Sequence, residues 1–96
     1  MAVLTTISGY LTHRRRIKRA TRAVRHFSAA EFPQDEPVWS MVAENRPDEC
    51  VVYMTYNRPE TSPSTAPHRF FKVDMRELKV APLQPDYYPQ QWGPFR

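Results

Sequence analysis

Cysteine, glycine and, over a long stretch, acidic residues are what this chain of 96 residues has little of. Cys50 is its only cysteine, which excludes an internal disulfide and a thiolate metal cage. The two glycines, Gly9 and Gly93, stand near opposite ends, so no phosphate-cradling glycine loop can be built. No apolar run approaches the ~18 residues that span a bilayer, and no transmembrane segment is expected. Residues 1–30 contain no Asp or Glu at all.

A chain this short forms one small domain at most, and such a domain buries only about 60% of the surface its unfolded chain exposes. The usual remedies for a weak core are disulfides, metals or a partner. With one cysteine, and with His13, His26 and His68 scattered, the first two routes are closed. No metal or other cofactor is expected, and other protein subunits become the expected partners. Catalysis is not expected either. No Ser/His/Asp arrangement can be defended, and the acid pairs Asp35-Glu36 and Asp48-Glu49 sit beside prolines in segments that read as solvated loops.

What the chain does have is unevenly placed. Its ten prolines all lie beyond position 31, roughly double the average usage of about 5%. Its charge is split. The first thirty residues carry Arg14, Arg15, Arg16, Lys18, Arg19, Arg22 and Arg25, whereas the remainder carries seven basic residues against ten acidic ones, a net of −3. The overall +4 therefore belongs to the N-terminal third.

Val3 to Phe27 reads as an amphipathic helix, with Val3, Ile7, Tyr10, Leu11, Ile17, Ala20, Val24 and Phe27 recurring at steps of three and four. Hydroxyl residues fill the gaps. Arg-rich, Ser/Thr-rich and acid-free is the composition of a mitochondrial transit peptide, and the uninterrupted apolar core of a secretory signal is missing. At its end, Arg25-His26-Phe27-Ser28-Ala29 resembles the processing motif of mitochondrial precursors, Arg-X-aromatic followed by Ser or Ala. That resemblance implies processing around Arg25, Phe27 and Ser28 and a location in the matrix or on the matrix side of the inner membrane. The competing reading is a retained arm that lies on RNA, anionic lipid or an acidic protein surface, in which case a cytoplasmic location fits as well.

Beyond the helix the sequence predicts a small, irregular α+β body over residues 28–79. Pro37 to Ala43 reads as a short helix with Pro37 at its first position. Cys50 to Tyr56 and His68 to Met75 read as the two arms of an antiparallel hairpin spanning 50–75, joined by a long proline-rich loop. Asn45-Arg46-Pro47 and Asn57-Arg58-Pro59 read as turn signals marking strand boundaries. Residues 80–96 carry four prolines together with Leu83, Tyr87, Tyr88, Trp92 and Phe95. Too broken for a helix and too apolar for a solvated linker, this segment reads as an extended tail that drapes its side chains over a partner.

These features together predict a non-catalytic accessory subunit of a large mitochondrial assembly. An acidic body left after processing favours a respiratory-chain complex. A mitochondrial ribosomal or other nucleic-acid-binding protein that uses the 14–25 helix is the alternative, and a small regulatory binder or assembly factor is a third.

Overall fold

The computed structural model describes residues 2–57 and 67–90, with side chains described from Thr12 onward. One long helix, α1 (Ala2–Glu31), is followed by four strands, β1 (Glu36–Asn45), β2 (Glu49–Asn57), β3 (His68–Asp74) and β4 (Lys79–Pro82). The strands form one antiparallel meander in the order β1-β2-β3-β4.

This architecture corrects the expected one in three places. Pro37 to Ala43 is not a short helix but most of strand β1. Pro37-Val38-Trp39-Ser40-Met41-Val42 satisfies both readings locally. The outcome is decided by pairing with β2, where Trp39 lies opposite Thr55 and Val42 opposite Val52. Register shifts between Pro37 and Trp39 and between Val42 and Glu44 break the alternation that would have announced a strand. Second, the two-stranded hairpin is only the middle of a four-stranded sheet, with Glu49 opposite Asp74 and Thr55 opposite His68 across β2 and β3. Third, the start of the proline-rich tail forms β4. It is short, it lies at the sheet edge, and Pro82 closes it, the setting in which a strand tolerates a residue without an N–H.

The helix also runs further than expected. Ser28-Ala29-Ala30-Glu31 continues α1 rather than capping a separate turn. The Phe32 N–H still donates to the Ser28 carbonyl at 2.7 Å. Pro33 then ends the helix, because it has no N–H and disfavours helical backbone before it.

Helix and sheet bury their main core between them. Ala20 and Val24 of α1 are sealed against Val42, Val52, Met54 and Phe71 of the sheet, and the Phe27 ring meets Phe71 edge-on at 5.9 Å. A second, smaller cluster occupies the outer face of the sheet. There Ala43, Val51 and Phe70 are covered by Leu83 and Tyr87 from the segment after β4. The molecule is thus layered as helix, sheet and strap.

The β1–β2 turn is closed by backbone hydrogen bonds and the β3–β4 turn by a side chain. Arg46 and Glu49 exchange backbone hydrogen bonds of 2.8 and 3.3 Å around Pro47-Asp48, so the first Asn-Arg-Pro motif does close β1. The Asp74 carboxylate accepts the N–H of Arg76 at 2.9 Å and that of Glu77 at 3.4 Å. Leu78, at φ 56°, completes that turn in the left-handed region, a conformation ordinarily left to Gly or Asn.

Candidate functional site

The seven basic residues of the helix do not share one role. Arg16 is half-buried and turns toward the sheet. Its Nε donates to Asn45 Oδ1 at 3.0 Å and its terminal nitrogen donates to the Arg46 carbonyl. It fastens α1 to the β1–β2 turn and is a structural residue. Asn45 Oδ1 also accepts the Cys50 thiol at 3.4 Å. Burial pushes the pKa of that thiol up, and the nearby Arg16 charge opposes the rise only partly, so Cys50 is an inert thiol of the core.

Arg14, Arg15, Lys18, Arg19, Arg22 and Arg25 are exposed. Arg15, Lys18, Arg22 and Arg25 follow one another at steps of three and four, so they stack along one side of α1 over about 15 Å, with Arg19 beside them. Ala20, Val24 and Ser28 occupy the opposite side and are buried. Because α1 contains no acid before Glu31, this side has no ion pairs of the i, i+4 kind that normally offset such crowding. Like charges at that spacing destabilise a helix slightly. The stripe therefore persists at some cost to the fold.

Where the stripe turns toward the sheet it borders an open groove of about 630 Å³. Ala23 and Phe27 of α1 and Leu78 and Val80 of the β3–β4 hairpin line its floor, while Arg19, Arg22 and His26 rise along one side.

The residues of the processing motif are placed differently. Arg25 is exposed, but Phe27 is packed on Phe71 and Ser28 is fully buried. The Ser28 and Tyr56 hydroxyls are hydrogen-bonded at 2.8 Å. In the folded chain the bond between residues 27 and 28 lies inside α1.

Of the tail residues, Leu83 and Tyr87 lie against the chain's own sheet. Tyr88 is 75% exposed, and Trp92 and Phe95 lie outside the described residues. The strap is held by a carboxylate that sequence reasoning passed over. Glu44 is buried on the outer face, where it accepts the Tyr87 hydroxyl at 2.6 Å and the Gln90 N–H at 2.8 Å. Arg46 pairs with it at 3.2 Å. The only signal in the sequence was an acid inside an apolar strand, a position seldom occupied unless the charge is partnered.

The outer face also carries an aromatic row that spans three strands. Trp39 lies 6.1 Å from Tyr53, Tyr53 lies 5.5 Å from His68 and 5.2 Å from Phe70, and Phe70 lies 5.5 Å from Tyr87. Its Phe70 end is under the strap and its Trp39 end is 47% exposed. On the inner side Arg69 lies 3.7 Å over the Phe32 ring and bonds Asp35 at 2.9 Å, which pins the helix–strand linker to β3.

Among the described residues no group of three or more His, Cys, Asp or Glu is placed to hold a metal ion, and no helix is long and apolar enough to cross a membrane. Comparison with protein-family models, curated proteins and solved structures finds nothing that matches this chain.

Proposed function

We propose that this chain is a non-catalytic accessory protein that keeps its basic helix and docks through it on the phosphate backbone of RNA, within a mitochondrial ribonucleoprotein assembly. The observation that carries the reading is the double use of α1. One side seals the core with Ala20 and Val24, and the other presents Arg15, Lys18, Arg19, Arg22 and Arg25. A helix removed on import would take core side chains with it. A helix retained keeps the cations with the protein. Four of the five are arginines, whose planar fork matches phosphate oxygens in pairs. The aromatic row lies on the other face of the sheet, so base stacking and the cationic stripe do not share a surface. The contact is accordingly electrostatic and indifferent to sequence.

Fluorescence anisotropy with a labelled RNA hairpin tests this. With about five phosphates neutralised, affinity should fall with a log–log salt slope of roughly −4 to −5. The Arg15→Gln/Lys18→Gln/Arg22→Gln variant should lose most of the binding while melting normally. Absence of binding at low salt, or binding insensitive to salt, overturns the reading. A reporter fused to the full chain and imaged against a mitochondrial marker tests the location.

A second reading, a subunit docked on protein in a respiratory-chain complex, draws on the exposed Val38, Trp39 and Tyr88. Its test is co-purification with such a complex and loss of that association on Trp39→Ala/Tyr88→Ala.

A further inference from the structure

The groove between α1 and the β3–β4 hairpin shares Arg19 and Arg22 with the basic stripe but adds an apolar floor that the stripe lacks. Its floor is apolar, formed by Ala23, Phe27, Leu78 and Val80, and its cations, Arg19 and Arg22, stand on the helix side with His26 beside them. At about 630 Å³ it has the size of a ligand site. It is open along its length, so a small apolar molecule would keep much of its surface in water. A segment of a protein brings its own cover.

Three observations narrow the occupant. The lining residues of α1 from Arg19 to Ala30 recur at helical steps, so floor and rim run side by side for about 16 Å. An element laid along them meets apolar groups on one flank and guanidinium groups on the other. The neighbouring edge strand is poorly suited to pairing with an added strand. β4 has four residues, carries Lys79 and ends on Pro82, which lacks an N–H. Finally, Leu78 holds a left-handed position, at φ 56°, where Gly or Asn would sit without strain. Its side chain reaches the groove floor, which is what a glycine there would forfeit.

We propose that this groove binds an acidic amphipathic helix of a partner protein. Apolar anchors spaced i, i+4 lie over Ala23, Phe27 and Leu78, and carboxylates along the flank meet Arg19 and Arg22. This is the helix-in-groove mode of recognition, with charge complementarity choosing the partner.

The test uses the full chain and a fluorescein-labelled model peptide of about 18 residues, five helical turns, built from Leu, Ala and Glu with its leucines on one face. A twin peptide has Lys in place of Glu. The acidic peptide should bind, and the Lys twin at least about tenfold more weakly. Ala23→Trp fills the floor without touching a charge and should cost at least about tenfold, as should Leu78→Gly, which keeps the turn but removes the floor side chain. Arg19→Glu/Arg22→Glu should reverse the preference between the two peptides. Circular dichroism melts establish that each variant is folded. Acidic-peptide affinity unchanged by both Ala23→Trp and Leu78→Gly overturns the proposal, since the contact is then general electrostatics. If Ala23→Trp weakens binding to phosphatidylglycerol vesicles and not to the acidic peptide, the groove is a lipid site and the proposal fails. RNA-hairpin binding should be unaltered in Ala23→Trp, so loss of RNA binding and loss of peptide binding are separately readable.

Discussion

The buried hydroxyl of Ser28 on α1 lies 2.8 Å from the Tyr56 hydroxyl at the end of β2, so the last turns of the basic helix are bonded into the sheet. Every described residue of α1 that seals the inner core lies at or before this point, with Ala20, Val24 and Phe27 on the same side. Deleting residues 1–27 should therefore uncover Val42, Val52, Met54 and Phe71 together. The 28–96 fragment is expected to show no cooperative thermal transition and to bind a hydrophobic dye, while the full chain melts cooperatively. A cooperative melt of the fragment would show that the strap and sheet suffice as a core.

The two kinds of helical arginine should separate by stability. Arg16→Ala removes the bonds to Asn45 and Arg46 and should cost on the order of 1 kcal/mol, as expected for a net hydrogen-bond loss at a half-buried site. Arg22→Gln removes one member of a like-charged row and should be neutral or slightly stabilising. Urea melts of the two variants check the contrast. Equal effects would mean that Arg16 does not latch the helix.

Glu44 should be the residue that holds the strap. Glu44→Ala leaves the Tyr87 hydroxyl and the Gln90 N–H without their acceptor, a loss of about 2 kcal/mol or more for bonds to a charged group. Tyr87→Phe removes one of these bonds and should cost about half as much. Amide hydrogen exchange should rise selectively from Leu83 to Gln90 in both variants. Unchanged protection there would show that apolar contact alone keeps the strap down.

Alkaline pH should expose the same contacts. Burial raises the pKa of Tyr56 above its ordinary 10.0. Burial, reinforced by the Glu44 carboxylate, raises that of Tyr87 above the same value. A phenol that holds its proton more tightly when folded contributes fully below the unfolded pKa, and the contribution is lost as pH rises through the folded one. Stability should therefore decline from about pH 10 upward, and Tyr56→Phe/Tyr87→Phe should flatten the decline. A profile steeper in the double variant than in the parent would reverse the sign and refute the assignment.

The sequence by itself determined the elements whose signal is local and repeated. The helix was legible because its apolar residues recur at steps of three and four, and β2 and β3 because they are rich in β-branched and aromatic residues. The split of charge was visible without any fold, as was the turn at Asn45-Arg46-Pro47. Only the tertiary structure decided the rest, because it depends on partners distant in sequence. Pro37 to Ala43 carries both helical and strand patterns, and pairing with β2 settled it. Leu83 and Tyr87 have the composition of an interface tail, and the cover they give Phe70 and Val51, locked by a glutamate some forty residues earlier, cannot be read from composition. Arg16 differs from Arg15 in no property of its own. It is the rotation of α1 on the sheet that buries one guanidinium against Asn45 and leaves the other in water, since adjacent residues on a helix point about 100° apart.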